Sequence, residues 1–122
     1  MAVRHLSPNV FFVDLPLNES QIVNELENIN KIISDRNDCD VIIDFTRVEV
    51  IISSSISNLM ILRDMLHNYG HRLVLCNVNP VTKCIFTVAG IADIFDFADD
   101  KSDALASLAN VPNSAPQSDN TN

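Results

Sequence analysis

Apolar positions recur along this chain in two alternating rhythms. Residues 10–15, Val-Phe-Phe-Val-Asp-Leu, form an almost unbroken apolar run and predict a strand. The Ala-Val-Arg-His-Leu-Ser stretch before it predicts a short first strand, with Pro8-Asn9 as the turn between the two. Ile22, Leu26, Ile29 and Ile33 then follow at the spacing of one helical face. Asn18 is placed to cap that helix, with Gln21 as its capping-box partner, and the polar stretch Asp35 to Asp40 ends it. Val-Ile-Ile-Asp-Phe at 41–45 is continuous and β-branched, as in a strand covered on both faces.

A second helix is predicted from the serine run at 53–55 to Tyr69, with Ile56, Leu59, Met60, Leu66 and Tyr69 on a broad common face. Gly70 stands where a left-handed residue closes a helix. Arg-Leu-Val-Leu-Cys-Asn-Val at 72–78 predicts another buried strand. Asn79-Pro80 starts a third helix, because proline suits the first turn. Val81, Cys84, Ile85 and Val88 recur along it at helical spacing, and Gly90 stops it. The chain has only 2 glycines, and both fall at predicted helix ends. Residues 94–97, Ile-Phe-Asp-Phe, predict a short last strand. Asp99 or Asp100 then caps a final helix with Leu105 and Leu108 facing inward. Strands alternating with helices imply an α/β domain: a mostly parallel sheet of four to five strands, about four helices, and right-handed crossovers. The domain is expected over residues 1–109. Residues 110–122, rich in Asn, Pro and Ser, have too few apolar groups to order themselves and read as a disordered tail.

Composition narrows the function. At 122 residues the chain is one domain's worth, large enough to fold without metal or disulfide staples. The net charge of -8 repels phosphate backbones and anionic lipid. With no Trp and one Tyr there is also little on which a base could stack, so neither nucleic acid nor a membrane is the expected partner. A basic protein suits the sign better. Cys39, Cys76 and Cys84 are odd in number and lack metal spacing, so buried reduced thiols in a reducing cytoplasm are expected. The N-terminal segment lacks the apolar core of a signal peptide, and no apolar run is long enough to span a bilayer.

Candidate chemistry is sparse. Asp14 and Asp44 each end an apolar strand, as in a phosphoryl-accepting receiver domain. That fold needs five βα units in a longer ordered chain, an acidic pair after its first strand and a lysine after its last, whereas Asp14 is alone and no Lys follows the last strand until Lys101; Asp44 reads as a hydrogen-bond acceptor for the loop beside it. His5, His67 and His71 do not form a ligand set. The acids at 93, 96, 99, 100 and 103 lack the spacing of a calcium loop and read as a solvated edge. No phosphate-cradling glycine loop or nucleophile motif is present. No cofactor and no catalysis are expected.

The residues from Asp44 to Ile51, Asp-Phe-Thr-Arg-Val-Glu-Val-Ile, followed by Ile52-Ser53-Ser54-Ser55-Ile56, resemble the signature of the STAS family of anti-sigma factor antagonists. There, a strand ends in Asp and an Asp-Ser-Ser-Gly motif opens a helix. Gly70-His-Arg-Leu-Val-Leu-Cys76 is similar to the family's next strand. Asn79-Pro80-Val81 and Val88-Ala-Gly90-Ile91 are similar to the helix and turn before its last strand. The order and spacing of these segments carry the resemblance, over about residues 8–108. The motif's leading Asp is Ile52 here and its Gly is Ser55, whereas Ser53 and Ser54 match its serines.

The resemblance implies a binding protein of STAS-like fold, not an enzyme. Its partner is an anti-sigma factor or serine kinase of that type. Phosphorylation at Ser54, or second at Ser53, makes it release that partner, and a phosphatase resets it. The implied contact surface is Ile51, Ile52, Ser53, Ser54, Ser55, Ile56, Asn58 and Arg63. The alternative is an unphosphorylated scaffold subunit of a sensory or transporter-associated complex, and a homodimer is compatible with either. Apart from the resemblance, serine is simply a preferred N-cap, and a serine run at a helix start serves that purpose by itself.

Overall fold

The computed structural model describes residues 3–36 and 38–109. The segment read as a tail, 110–122, lies outside the described residues. Five strands are present: β1 (Val3–Ser7), β2 (Val10–Asp14), β3 (Asp40–Asp44), β4 (Leu73–Cys76) and β5 (Asp96–Ala98). They form one sheet in the order β1-β2-β3-β4-β5, with β1 antiparallel to β2 and every other pair parallel. The helices are α1 (Glu19–Ser34), α2 (Ser53–Asn68), α3 (Pro80–Val88) and α4 (Lys101–Ala109), with a short 3-10 turn at Ala92–Ile94. The expected four to five strands and four helices are therefore all present.

Strand order equal to chain order means that every crossover steps the same way. Crossovers of one hand then put their helices on one face. A large apolar cluster joins α1, α2 and α3 to one face of the sheet, through Ile22, Leu26 and Ile29, Leu59, Leu62 and Leu66, and Phe86. The other face carries a smaller cluster, where Ala104 and Leu108 of α4 cover Val10, Phe12, Ile42 and Val74. Strands β3 and β4 are thus buried on both sides, as their unbroken apolar runs require.

Local chemistry sets the element ends. Asn18 Oδ1 accepts from the N–H groups of Ser20 and Gln21 at the start of α1. Gly70 and Gly90 both have a φ of +76°, the left-handed conformation that glycine adopts without steric cost. At each, paired bonds close the helix: Gly70 N–H to His67 O with His71 N–H to Leu66 O, and Gly90 N–H to Thr87 O with Ile91 N–H to Phe86 O. Asp100 Oδ1 accepts from Asp103 N–H and so caps α4.

Four expectations are corrected. Strand β4 ends at Cys76 rather than 78, because Asn77 turns left-handed at a φ of 56°. Strand β5 starts at Asp96 rather than 94, because the chain leaving Gly90 first makes the 3-10 turn. Tyr69 falls just past the end of α2 and is exposed, while Leu62 takes an inward position on that helix. The largest difference is in α3. Val81 and Val88 are 64% and 82% exposed and Cys84 is exposed, whereas Thr82 and Phe86 are buried. That helix is apolar on most sides, so its pattern does not choose a face. Phe86 is its largest side chain and packs at 5.4 Å from Phe95 and 5.9 Å from Phe97 between ring centres. Burying it removes the most apolar area from water.

Candidate functional site

The loop from Phe45 to Ile52 leaves the C-terminal end of β3 and delivers the chain to α2. Its shape is held by polar side chains at both ends. Asp44 Oδ1 accepts from Thr46 N–H at 3.1 Å, Thr46 Oγ1 at 2.6 Å and Asn77 Nδ2 at 2.9 Å. Asp44 is thus the loop's hydrogen-bond acceptor. Asn79 uses both ends of its amide: Nδ2 donates to Val48 O at 3.0 Å, and Oδ1 caps α3 through Thr82 N–H at 2.8 Å. The loop before α2 and the loop before α3 are therefore tied to each other. Sequence reasoning saw Asn79 only as a helix start and missed its other amide group. The signal that could have found it is the pair Asn77 and Asn79, two positions apart, opposite an Asp at a neighbouring strand end.

Helix α2 begins without a side-chain cap. Its N-cap is Ile52, whose side chain has no acceptor to offer, and no acid lies in its first turn. The three serines occupy the first three helical positions and cap nothing. Among the described residues, the N–H groups of Ser53 and Ser54 have no hydrogen-bond partner, while those of Ser55 and Ile56 bond to Ile52 O. This end of α2 therefore carries uncompensated positive dipole and unpaired donors.

The structure sorts the expected contact residues into two groups. Ser53 and Ser54 are exposed, and Ile52 and Ile56 are half-buried beside them. Ser55 is 1% exposed and Ile51 6%, which withdraws both from any contact surface. Successive helix positions are about 100° apart, so three neighbouring serines cannot all face water on a packed helix. Asn58 and Arg63 are half-buried and already engaged. Asn58 Nδ2 donates to Ser54 O at 2.9 Å and its Oδ1 accepts from Asn30 of α1 at 3.1 Å. Arg63 donates to Ile94 O at 3.2 Å and pairs with Asp64 at 3.1 Å. Val50, which the sequence did not single out, is 53% exposed two residues before the N-cap of α2.

Elsewhere the polar groups read as structure. Cys39 and Cys76 are buried, and Cys84 lies on the surface, contrary to the expectation of three buried thiols. Burial, helped by the neighbouring Asp44 carboxylate, pushes the Cys76 thiol up to about 12, so it stays protonated and unreactive near neutral pH. Burial also raises the Cys39 thiol. His71 Nδ1 lies 3.1 Å from Asp40, which also receives Arg72 N–H. Among the described residues, no group of three or more His, Cys, Asp or Glu is placed to hold a metal ion, and no helix is long and apolar enough to cross a membrane.

A sheet running from an antiparallel edge into four parallel strands, with this order of helices, has known counterparts. The family model for the STAS domain matches residues 2–104. The chain belongs to the STAS domain family. Comparison with curated protein sequences finds no match. Among solved structures, a serine-to-glutamate form of RsbS from Moorella thermoacetica is similar at a TM-score of 0.78 and 16% identity, covering 91% of this chain and 96% of that one. An anti-sigma-factor antagonist domain protein from Planctomyces limnophilus has a TM-score of 0.76 at 22% identity, covering 88% and 96%. The anti-sigma factor antagonist SpoIIAA in its unphosphorylated form has a TM-score of 0.71 at 15% identity, covering 89% and 97%. At these identities the likeness establishes the STAS fold.

Proposed function

We propose that this STAS domain is a cytoplasmic binding module that holds an anti-sigma factor, or a serine kinase of that type, and releases it on phosphorylation of Ser54. One observation carries the reading: Ser54 is exposed at the second position of a helix whose N-terminus is uncapped and free of acids. A phosphate there meets unpaired N–H donors and the positive end of the dipole, so modification leaves the fold intact. It adds about -1.5 to -2 charges to the surface a partner touches. The half-buried Ile52 and the exposed Val50 make that surface apolar, so a partner packed on it would be desolvated against the new charge. The net charge of -8 suits a partner of basic surface.

The experiment is site mapping. The chain is incubated with an anti-sigma-type serine kinase and Mg-ATP, and the phosphate is located by mass spectrometry. Ser54 is expected to be the main acceptor and Ser53 the lesser one, with Ser54→Ala largely unmodified. A chain that takes up no phosphate from any kinase of the class would refute the switch. A phosphatase removing the group would complete the cycle.

The assembly-subunit reading has its own support in the outward face of α3. Val81, Cys84, Ile85, Val88 and Ala89 line a shallow apolar groove there. No acid lies within α3, so two acidic chains could meet along this helix without carboxylates facing each other. The occupant that fits is a second copy of the chain. Size-exclusion chromatography with light scattering is expected to show concentration-dependent dimers, lost in Val88→Asp. A wild-type chain that stays monomeric at high concentration removes self-association through α3.

A further inference from the structure

A cleft of about 450 Å³ opens beside the C-terminal end of β2, between the start of β1, the first turns of α1 and the loop that leads to α2. Its volume falls within the roughly 300–1,000 Å³ of small-molecule sites. Its walls carry two cations, Arg4 and Arg47, and two carboxylates, Asp14 and Glu25, with the amides of Gln21 and Asn24. Among the described residues, none of these four charged groups is in an ion pair within 4.0 Å, and none of the six side chains makes a hydrogen bond. Glu25 Oε1 is sealed from solvent and has no partner. A carboxylate oxygen stripped of water without a donor is unfavourable, and such orphans are rare in folded proteins.

From this arrangement we infer that the cleft is a binding site for a small zwitterion, a free amino acid. Its ammonium meets the negative wall formed by the carboxylates of Glu25 and Asp14. Its carboxylate meets the arginines, whose planar donor sets suit that group. Arg4 is held by a cation–π contact, with its guanidinium carbon 4.7 Å from the centroid of the Phe12 ring. A simple anion would leave Glu25 unmet, and a simple cation would leave both arginines unmet. Two carboxylates in the wall of a chain of net charge -8 disfavour a polyphosphate. None of the three serines and no residue of α3 lines the cleft, so its test does not depend on partner switching.

The test is a nuclear magnetic resonance titration of the full chain with glycine, alanine, glutamate, lysine and arginine, and with acetate and methylammonium as half-ligands. At least one amino acid is expected to bind saturably, with shifts confined to the walls of the cleft. Each half-ligand should bind at least about tenfold more weakly, because it satisfies only one pair of charges. Glu25→Gln keeps the side-chain shape and should weaken the amino acid by about tenfold or more while leaving acetate unchanged. Arg47→Gln, on an exposed loop where folding is not at stake, should weaken both. Absence of saturable binding by all five amino acids, acetate binding as tightly as the best of them, shifts mapping elsewhere, or full affinity in Glu25→Gln with an unchanged melting profile would each overturn the assignment.

Discussion

Ser54→Asp is expected to weaken partner binding by more than a hundredfold while the domain stays folded. The two halves of that expectation have separate causes. Ser54 is exposed, so the aspartate meets water in the free protein and displaces no packing. It also lies in the first turn of α2, which has no acid and no side-chain cap. A carboxylate there interacts favourably with the helix dipole by about 0.3–1 kcal/mol, so melting should be unchanged or slightly raised. In the complex the same charge is trapped against a desolvated partner surface. A cost of about 3 kcal/mol is enough for the loss, since each 1.4 kcal/mol is a factor of about ten. Titration calorimetry against the anti-sigma-type partner, with thermal melting of the free variant, reads both halves. Wild-type affinity in the folded variant would separate Ser54 from the contact surface and end the proposal.

Moving the same substitution one residue along should invert the outcome. Ser55→Asp is expected to destabilise the domain by on the order of 3–5 kcal/mol, because the side chain at 55 points inward at 1% exposure and a carboxylate there would be stripped of water. Domains of this kind have about 5–15 kcal/mol in total, so the variant would be partly unfolded at moderate temperature. The penalty has a pH signature. Burial raises the new carboxyl's affinity for a proton in the folded state relative to the unfolded one. The variant's stability is therefore greatest, relative to wild type, at low pH and falls away as the pH rises. Urea unfolding at two pH values measures both effects. A Ser55→Asp chain as stable as wild type would mean that position 55 is open to solvent. Together the two variants test whether one serine of the run is a surface group and its neighbour a core one.

Much of the architecture was legible because it rests on short-range chemistry. Ile22, Leu26, Ile29 and Ile33 all face inward, as their spacing requires. The unbroken apolar runs at 41–43 and 73–75 are the fully buried strands. Gly70 and Gly90 both close helices through a left-handed turn. The family could be recognised for a related reason: its signature is a succession of such local devices at conserved-looking intervals, readable even with Ile52 and Ser55 in place of the motif's Asp and Gly. Where apolar residues surround a helix, the pattern lost its direction. In α3 it pointed to Val81, Cys84 and Val88, and the aromatic contacts of Phe86 turned the helix the other way.

The candidate site divides along the same line. That a serine run opens the second helix could be read from the chain itself, because strand, loop and helix signals bracket it within a dozen residues. That Ser54 faces water while Ser55 does not depends on how α2 rolls against the sheet and α1, and three identical side chains carry no information about that angle. The Asn79 tether to Val48 and the grouping of Arg4, Asp14, Glu25 and Arg47 around one cleft join residues far apart in the chain. Local propensity acts between near neighbours and determines the elements. Only packing, which minimises exposed apolar area over the whole molecule, decides which polar groups from separate elements end up facing one another.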